Sequence, residues 1–144
     1  MKNCRLLLFD LDGTLLRSDK TISRRTLHAL RQCRQKGILI GVSTSRGRQN
    51  ALGFIDELQP DVLITSGGAP AEYQGESLYR AEFTGEETKA LIAMGNAVPE
   101  IKEIADVVIG SNDEDGIAAY LEQTYLRGNE QNGIHNPGSD QLGQ

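Results

Sequence analysis

The chain has no tryptophan, and its aromatic content is only 5% of 144 residues. Any core it forms is therefore aliphatic. Cysteine is confined to Cys4 and Cys33, which have neither CxxC nor metal-type spacing. That argues against a redox motif or a cysteine metal site, and leads us to expect a reduced, cytoplasmic interior. Long hydrophobic runs are missing too. The apolar stretch near the N-terminus is broken by acids at Asp10 and Asp12, too early for a signal peptide, and no stretch is long enough to span a bilayer. Positive charge is in deficit, with 15 Lys and Arg against 20 Asp and Glu, a net charge of -5. Such a chain is a poor generic partner for nucleic acid or an anionic membrane, so neither is expected. It also repels phosphorylated ligands at long range, so any phosphate site has to be local and metal-assisted.

Short apolar runs alternate with helical patterns. Arg5 to Phe9 reads as a buried strand. Ser23 is placed to cap a helix over Arg24 to Lys36, with Leu27, Ala29, Leu30 and Cys33 on its apolar side. "ILIGVS", Ile38 to Ser43, is a second strand, followed by a helix over Gln49 to Leu58. "DVLIT", Asp61 to Thr65, is a third. Two polar strands turned at Gly75, about Ala71 to Tyr73 and Ser77 to Phe83, suggest a small β-hairpin after the third strand. "GEETKALI" looks like the start of a helix. "DVVIG", Asp106 to Gly110, is a further strand, and "EDGIAAYLEQTYL" a last helix. From Arg127 the sequence turns polar and Gly-rich, and we expect a disordered tail over 127–144 after a single domain over 1–126. Buried strands alternating with helices predict a parallel sheet covered on both faces. Ligands in such folds bind beyond the carboxyl ends of the strands. That rim holds Asp10, Asp12, Thr44 and the loop beginning at Ser66.

The segment "FDLDGT", Phe9 to Thr14, carries the chemistry. In extended chain, residues i and i+2 face the same way, so Asp10 and Asp12 share one ligand while Leu11 points elsewhere. Gly13 lets backbone N–H groups approach an anion. Two adjacent carboxylates repel a phosphate unless a cation intervenes, and Mg2+ prefers oxygen ligands such as these. Asp10 then serves as nucleophile and Asp12 as acid and base. For an isolated D-x-D, two solvated turn aspartates would be the better account. The apolar strand running into D-L-D-G-T-L-L favours the chemical one.

"FDLDGTLL" resembles the first motif of the haloacid dehalogenase superfamily, whose phosphatases work through an aspartyl-phosphate. "ILIGVSTSRG" is similar to the second motif. "DVLITSGGA" and "AMGNAVPEIKEIADVVIGSNDEDGIAAYLE" resemble stretches of its Cof-type subgroup. The resemblance implies a three-layer, Rossmann-like parallel sheet core. It also implies Mg2+ held at Asp10 and Asp12, and phosphate contacts at Leu11, Gly13, Thr44 and Ser45. Small phosphorylated metabolites are the implied substrates. Arg46 is a candidate substrate contact, with a solvated helix-start arginine as the alternative. The chain has Thr-Ser-Arg where the family often has Thr-Gly-Arg, and Gly67 where it usually has Asn.

The larger departure lies near Leu91 to Ala93. There the subgroup carries a cap domain, a lysine and an acidic G-D-x-x-N-D loop, and this sequence has none of them. Lys89 is a candidate stand-in for the lysine, with an exposed helix lysine as the alternative. Asp113 and Asp115 match a later loop of the subgroup, so they read as loop and helix-start acids. Without the missing groups we expect severely reduced turnover or none. The alternative is a non-catalytic module that binds phosphate or a partner. The strand Leu6 to Phe9 would also be left with an open edge. Either "IAMG" fills it, or the chain forms a homodimer through it, or the fold is unstable.

Overall fold

The computed structural model describes residues 4–65, 71–78 and 90–129. Strand β1 (Leu6–Phe9) runs into a tight loop over Leu11–Leu15, and α1 (Arg24–Gln35) follows. The helix begins where expected because the Ser23 hydroxyl accepts the Thr26 N–H at 3.1 Å. This satisfies one of the donors that a helix start leaves without an intrahelical partner. β2 (Leu39–Ser43), α2 (Arg48–Leu58) and β3 (Val62–Ile64) complete two βαβ units. β1 pairs parallel with β2 from Leu6↔Leu39 to Phe9↔Val42, and β2 pairs parallel with β3 from Gly41↔Val62 to Ser43↔Ile64. The ends of β1 and β2 thus lie side by side, and Asp10 and Thr44 leave the sheet on the same rim.

The expectation of a parallel sheet needs correction. β4 (Ala71–Tyr73) and β5 (Glu76–Leu78) form the anticipated hairpin, but it joins the sheet itself. Ile64 pairs with Ala71 and Val62 with Tyr73, antiparallel. The five strands run in the order β1-β2-β3-β4-β5, and the sheet is mixed. The hairpin's tight turn, with Gln74 and Gly75 both left-handed, forces β5 back antiparallel along β4.

Among the described residues β1 is the end strand of this sheet, with the open edge that the sequence suggested. β6 (Ile92–Ala93) does not pair with it among the described residues. β6 pairs instead with β7 (Val107–Val108) in a separate parallel sheet. The two are joined by α3 (Pro99–Ile104), a helix not anticipated from the sequence. Its signal was the proline at the first helical position, where a missing N–H costs nothing.

One cluster gathers Leu7, Ile40, Val42 and Leu63 from the strands. The same cluster takes Ala29, Leu30 and Cys33 from α1, Ala51 and Leu58 from α2, and Ile117, Ala118 and Leu121 from α4 (Gly116–Leu121). On the opposite sheet face Leu6, Leu39, Val62 and Ile64 are only half-buried, and Leu8 is 40% exposed. The helices of this cluster thus lie on one face of the five-stranded sheet. Two right-handed crossovers stepping the same way across a sheet put both helices on one face.

The last helical segment is broken rather than continuous. A short 3-10 turn (Asn112–Glu114) precedes α4, and looser turns continue to Asn129. Arg127–Asn129 forms a 3-10 turn. The segment 130–144 lies outside the described residues, as do the loop at 66–70 and most of "GEETKALI". No helix among the described residues is long and apolar enough to cross a membrane.

Candidate active site

Asp10 leaves β1 with φ -75° and ψ 158°, and Asp12 is also extended at φ -66° and ψ 126°. Between them Leu11 is 1% exposed and sits in the core. The alternation expected of the D-L-D segment is therefore present: the carboxylates face the rim and the leucine anchors them. Gly13 adopts φ +72°, a left-handed geometry that most side chains resist. The loop closes through Leu15 N–H to the Asp10 carbonyl at 3.3 Å and Leu16 N–H to the Leu11 carbonyl at 2.9 Å.

The loop is braced from across the molecule. Asn96 donates its amide to the Gly13 carbonyl at 2.8 Å, and its own carbonyl accepts from the Asn112 N–H at 3.1 Å. Asn112 in turn donates to the Leu16 carbonyl at 2.9 Å. Sequence reasoning missed Asn96 and Asn112, whose only signal was their place in the "MGNA" and "GSND" stretches. Asp113 holds the following turn: it accepts from the Ser18 N–H at 2.8 Å and from the Ser18 hydroxyl. It is a loop clamp, and Asp115 stands at the start of α4, as the sequence suggested for both.

From the end of β2, Thr44 is 3% exposed, and its hydroxyl accepts the Arg46 N–H at 3.1 Å. Ser45 is exposed. Arg46 grips Asp12 with both arms of its guanidinium, Nε to Oδ2 at 2.7 Å and Nη2 to Oδ1 at 2.7 Å. Lys20, missed at the sequence level, adds a third contact to Asp12 Oδ1 at 3.0 Å. It reaches there from a turn in which it has φ 66°. Lys89 lies outside the described residues, and no site geometry can be assigned to it.

The two carboxyls are driven apart in acidity. The Arg46 hydrogen bonds, with help from Lys20, hold Asp12 far below the usual carboxylate range. Asp10 is raised, first by desolvation and further by the nearby Asp12 charge, against a lowering by the Leu11 N–H. Although Asp10 is exposed by surface area, its carboxyl is crowded enough by the loop for desolvation to dominate.

Two hard oxygen donors of this kind fit Mg2+, which is commonly held by one or two carboxylates plus a ligand's phosphate. Among the described residues no cluster of three or more metal-ligating side chains is present. An ion here would take its remaining ligands from water or a bound phosphate.

The family model for haloacid dehalogenase-like hydrolases matches residues 7–93 and 86–121. The chain belongs to this family. An HMP-PP phosphatase from Klebsiella pneumoniae is 31% identical over 90 residues, covering 61% of this chain and 33% of that protein. The 5-amino-6-(5-phospho-D-ribitylamino)uracil phosphatase YitU of Bacillus subtilis is 37% identical over 54 residues, covering 38% and 20%. The chain thus spans a third or less of the length of these relatives. Among solved structures, a haloacid dehalogenase-like hydrolase from Bacteroides thetaiotaomicron superposes with a TM-score of 0.72 at 14% identity. That match covers 84% of this chain and 99% of the other. A protein from Geobacillus kaustophilus HTA426 gives 0.75 at 15% identity, covering 86% and 100%. At such identities the likeness speaks for the haloacid dehalogenase-like fold alone.

Proposed function

We propose that this chain is a haloacid dehalogenase-like phosphatase core that binds small phosphorylated metabolites and hydrolyses them slowly. The observation that carries this reading is the rim itself. Asp10 and Asp12 face one side at the end of β1, and Thr44 and Arg46 come from the adjoining end of β2. In the proposed reaction an Asp10 oxygen attacks phosphorus, and the ester P–O bond breaks. Asp12 gives its proton to the departing oxygen. Water then cleaves the aspartyl-phosphate, with Asp12 taking the water's proton and inorganic phosphate leaving. Thr44 and the backbone N–H groups near Gly13 hold phosphate oxygens. Mg2+, held at Asp10 and Asp12, would supply charge neutralisation.

The cap domain, the lysine and the acidic loop of the Cof-type subgroup are proposed to be absent. The two-block family match and the short span of the relatives support this. Each lost charge-stabilising group typically costs about a hundredfold to a thousandfold in rate. The reading as a non-catalytic phosphate-binding module is favoured by one specific observation: Asp12 is held in three charged contacts.

The test is turnover of sugar phosphates and a nitrophenyl phosphate with and without Mg2+. A very low, Mg2+-dependent rate that vanishes in Asp10→Asn is expected. A rate surviving that substitution would remove Asp10 from the mechanism. No rate alongside measurable phosphate binding would leave the binding module.

A further inference from the structure

The Arg46 side chain lies between two potential partners. It is 27% exposed, so a ligand can reach it, yet it already holds both oxygens of Asp12. Its planar fork matches a carboxylate and, equally well, two oxygens of a phosphate. Its backbone is tied to the Thr44 hydroxyl, which places it at the phosphate end of the rim. Its guanidinium carbon stands 5.3 Å from the centroid of the Phe54 ring, a cation–π contact that helps to hold the head group. Lys20 contacts Asp12 independently, from the turn after the loop. Asp12 would therefore keep a counter-charge if Arg46 turned away.

We propose that Arg46 is an anion-responsive latch: its guanidinium, paired with Asp12 in this structure, transfers to a bound phosphate dianion, releasing Asp12. The proposal rests on the reading of the rim as a phosphate site. It adds a coupling that such a site does not require. Asp12 and the ligand compete for one guanidinium, so whatever removes Asp12 as a competitor tightens phosphate binding through Arg46. The coupling is reciprocal, as any linkage between two equilibria must be.

The experiment is a titration with inorganic phosphate in metal-free buffer, by calorimetry and by the NMR signal of the Arg46 Nε–H. It compares wild type, Asp12→Asn, Arg46→Ala and the double variant, with circular dichroism to confirm that each is folded. Asp12→Asn is expected to tighten phosphate by about fivefold, the scale of a partly exposed bidentate pair. In the Arg46→Ala background the same change should shift affinity by less than about twofold. The Nε–H resonance should move on Asp12→Asn and again on adding phosphate. Arg46→Lys keeps the charge without the fork, and should show the smaller coupling. An equal gain from Asp12→Asn in both backgrounds would mean simple repulsion and would overturn the latch while leaving the phosphate site standing. Failure of every form to bind phosphate in metal-free buffer would overturn the latch, and failure with Mg2+ added as well would remove the phosphate site too.

Discussion

Asp10 and Asp12 differ in what their surroundings ask of a proton. A nucleophile works ionised and a general acid works protonated, yet burial raises Asp10 while Arg46 and Lys20 lower Asp12. This order is the reverse of the proposed roles. The sign for stability follows from linkage. A carboxyl raised in the folded state makes its ionised form a cost to folding. That cost is fully present above the folded pKa and disappears below the ordinary carboxylate range. Asp10→Asn is thus expected to raise the urea midpoint at pH 7, with the gain shrinking as pH falls through the folded pKa of Asp10 and absent in strong acid. A variant equally stabilised at every pH would point to some other cause. Gly116 is a second residue under tight constraint, since an added Cβ would lie 2.1 Å from the Gly110 carbonyl oxygen. Gly116→Ala should cost about 3 kcal/mol or more in a denaturant titration, because the obstacle is backbone rather than a movable side chain.

Among the elements, α4 and the turns around it tie the chain's end back to its beginning. Leu121 is 1% exposed in the core cluster, and Arg25 grips Glu122 with contacts of 2.9 and 2.7 Å. Leu121→Ala should cost about 2–5 kcal/mol by chemical denaturation. Removing the partly exposed Arg25–Glu122 pair should cost far less, since surface ion pairs pay for their own ordering. The turn carrying Lys20 depends on Asp113, whose carboxyl is lowered by its hydrogen bonds to Ser18. A lowered carboxyl stabilises the fold above its unfolded pKa and loses that contribution as pH falls through the folded one. Asp113→Asn should therefore speed hydrogen exchange at the Ser18 amide near neutral pH. Native protein and variant should converge in strong acid.

At the scale of the whole molecule, the core cluster lies on one face of the five-stranded sheet, and β1 is its end strand among the described residues. Leu8 is 40% exposed on the barer face, and Val98, Ile104 and Val108 are exposed by 58%, 68% and 49% around the smaller sheet. Apolar surface and a strand edge of this kind favour association. We expect the apparent mass in light scattering to rise with concentration, and Leu8→Lys to reduce that rise. A strictly monomeric protein across the range would show that this surface is covered in solution.

Much of this was legible from the residues. An apolar strand ending in D-L-D-G fixes carboxylates on one side and an anchor on the other, because alternation is a property of the extended backbone itself. The Ser23 cap and the turn at Gly75 are equally local. Three matters were decided only by the tertiary structure. The hairpin joined β3 as an antiparallel extension, because a strand's free hydrogen-bonding edge takes whatever partner the turn delivers. Ile92–Ala93 paired with Val107–Val108 instead of filling the open edge of β1, a choice among edges that no local pattern encodes. And Arg46 and Lys20, 34 and 8 residues from Asp12 in sequence, converged on its carboxylate. Charge partners so far apart meet only when the strand ends are brought side by side, so the state of the acid was settled by the fold, though its identity was plain in the sequence.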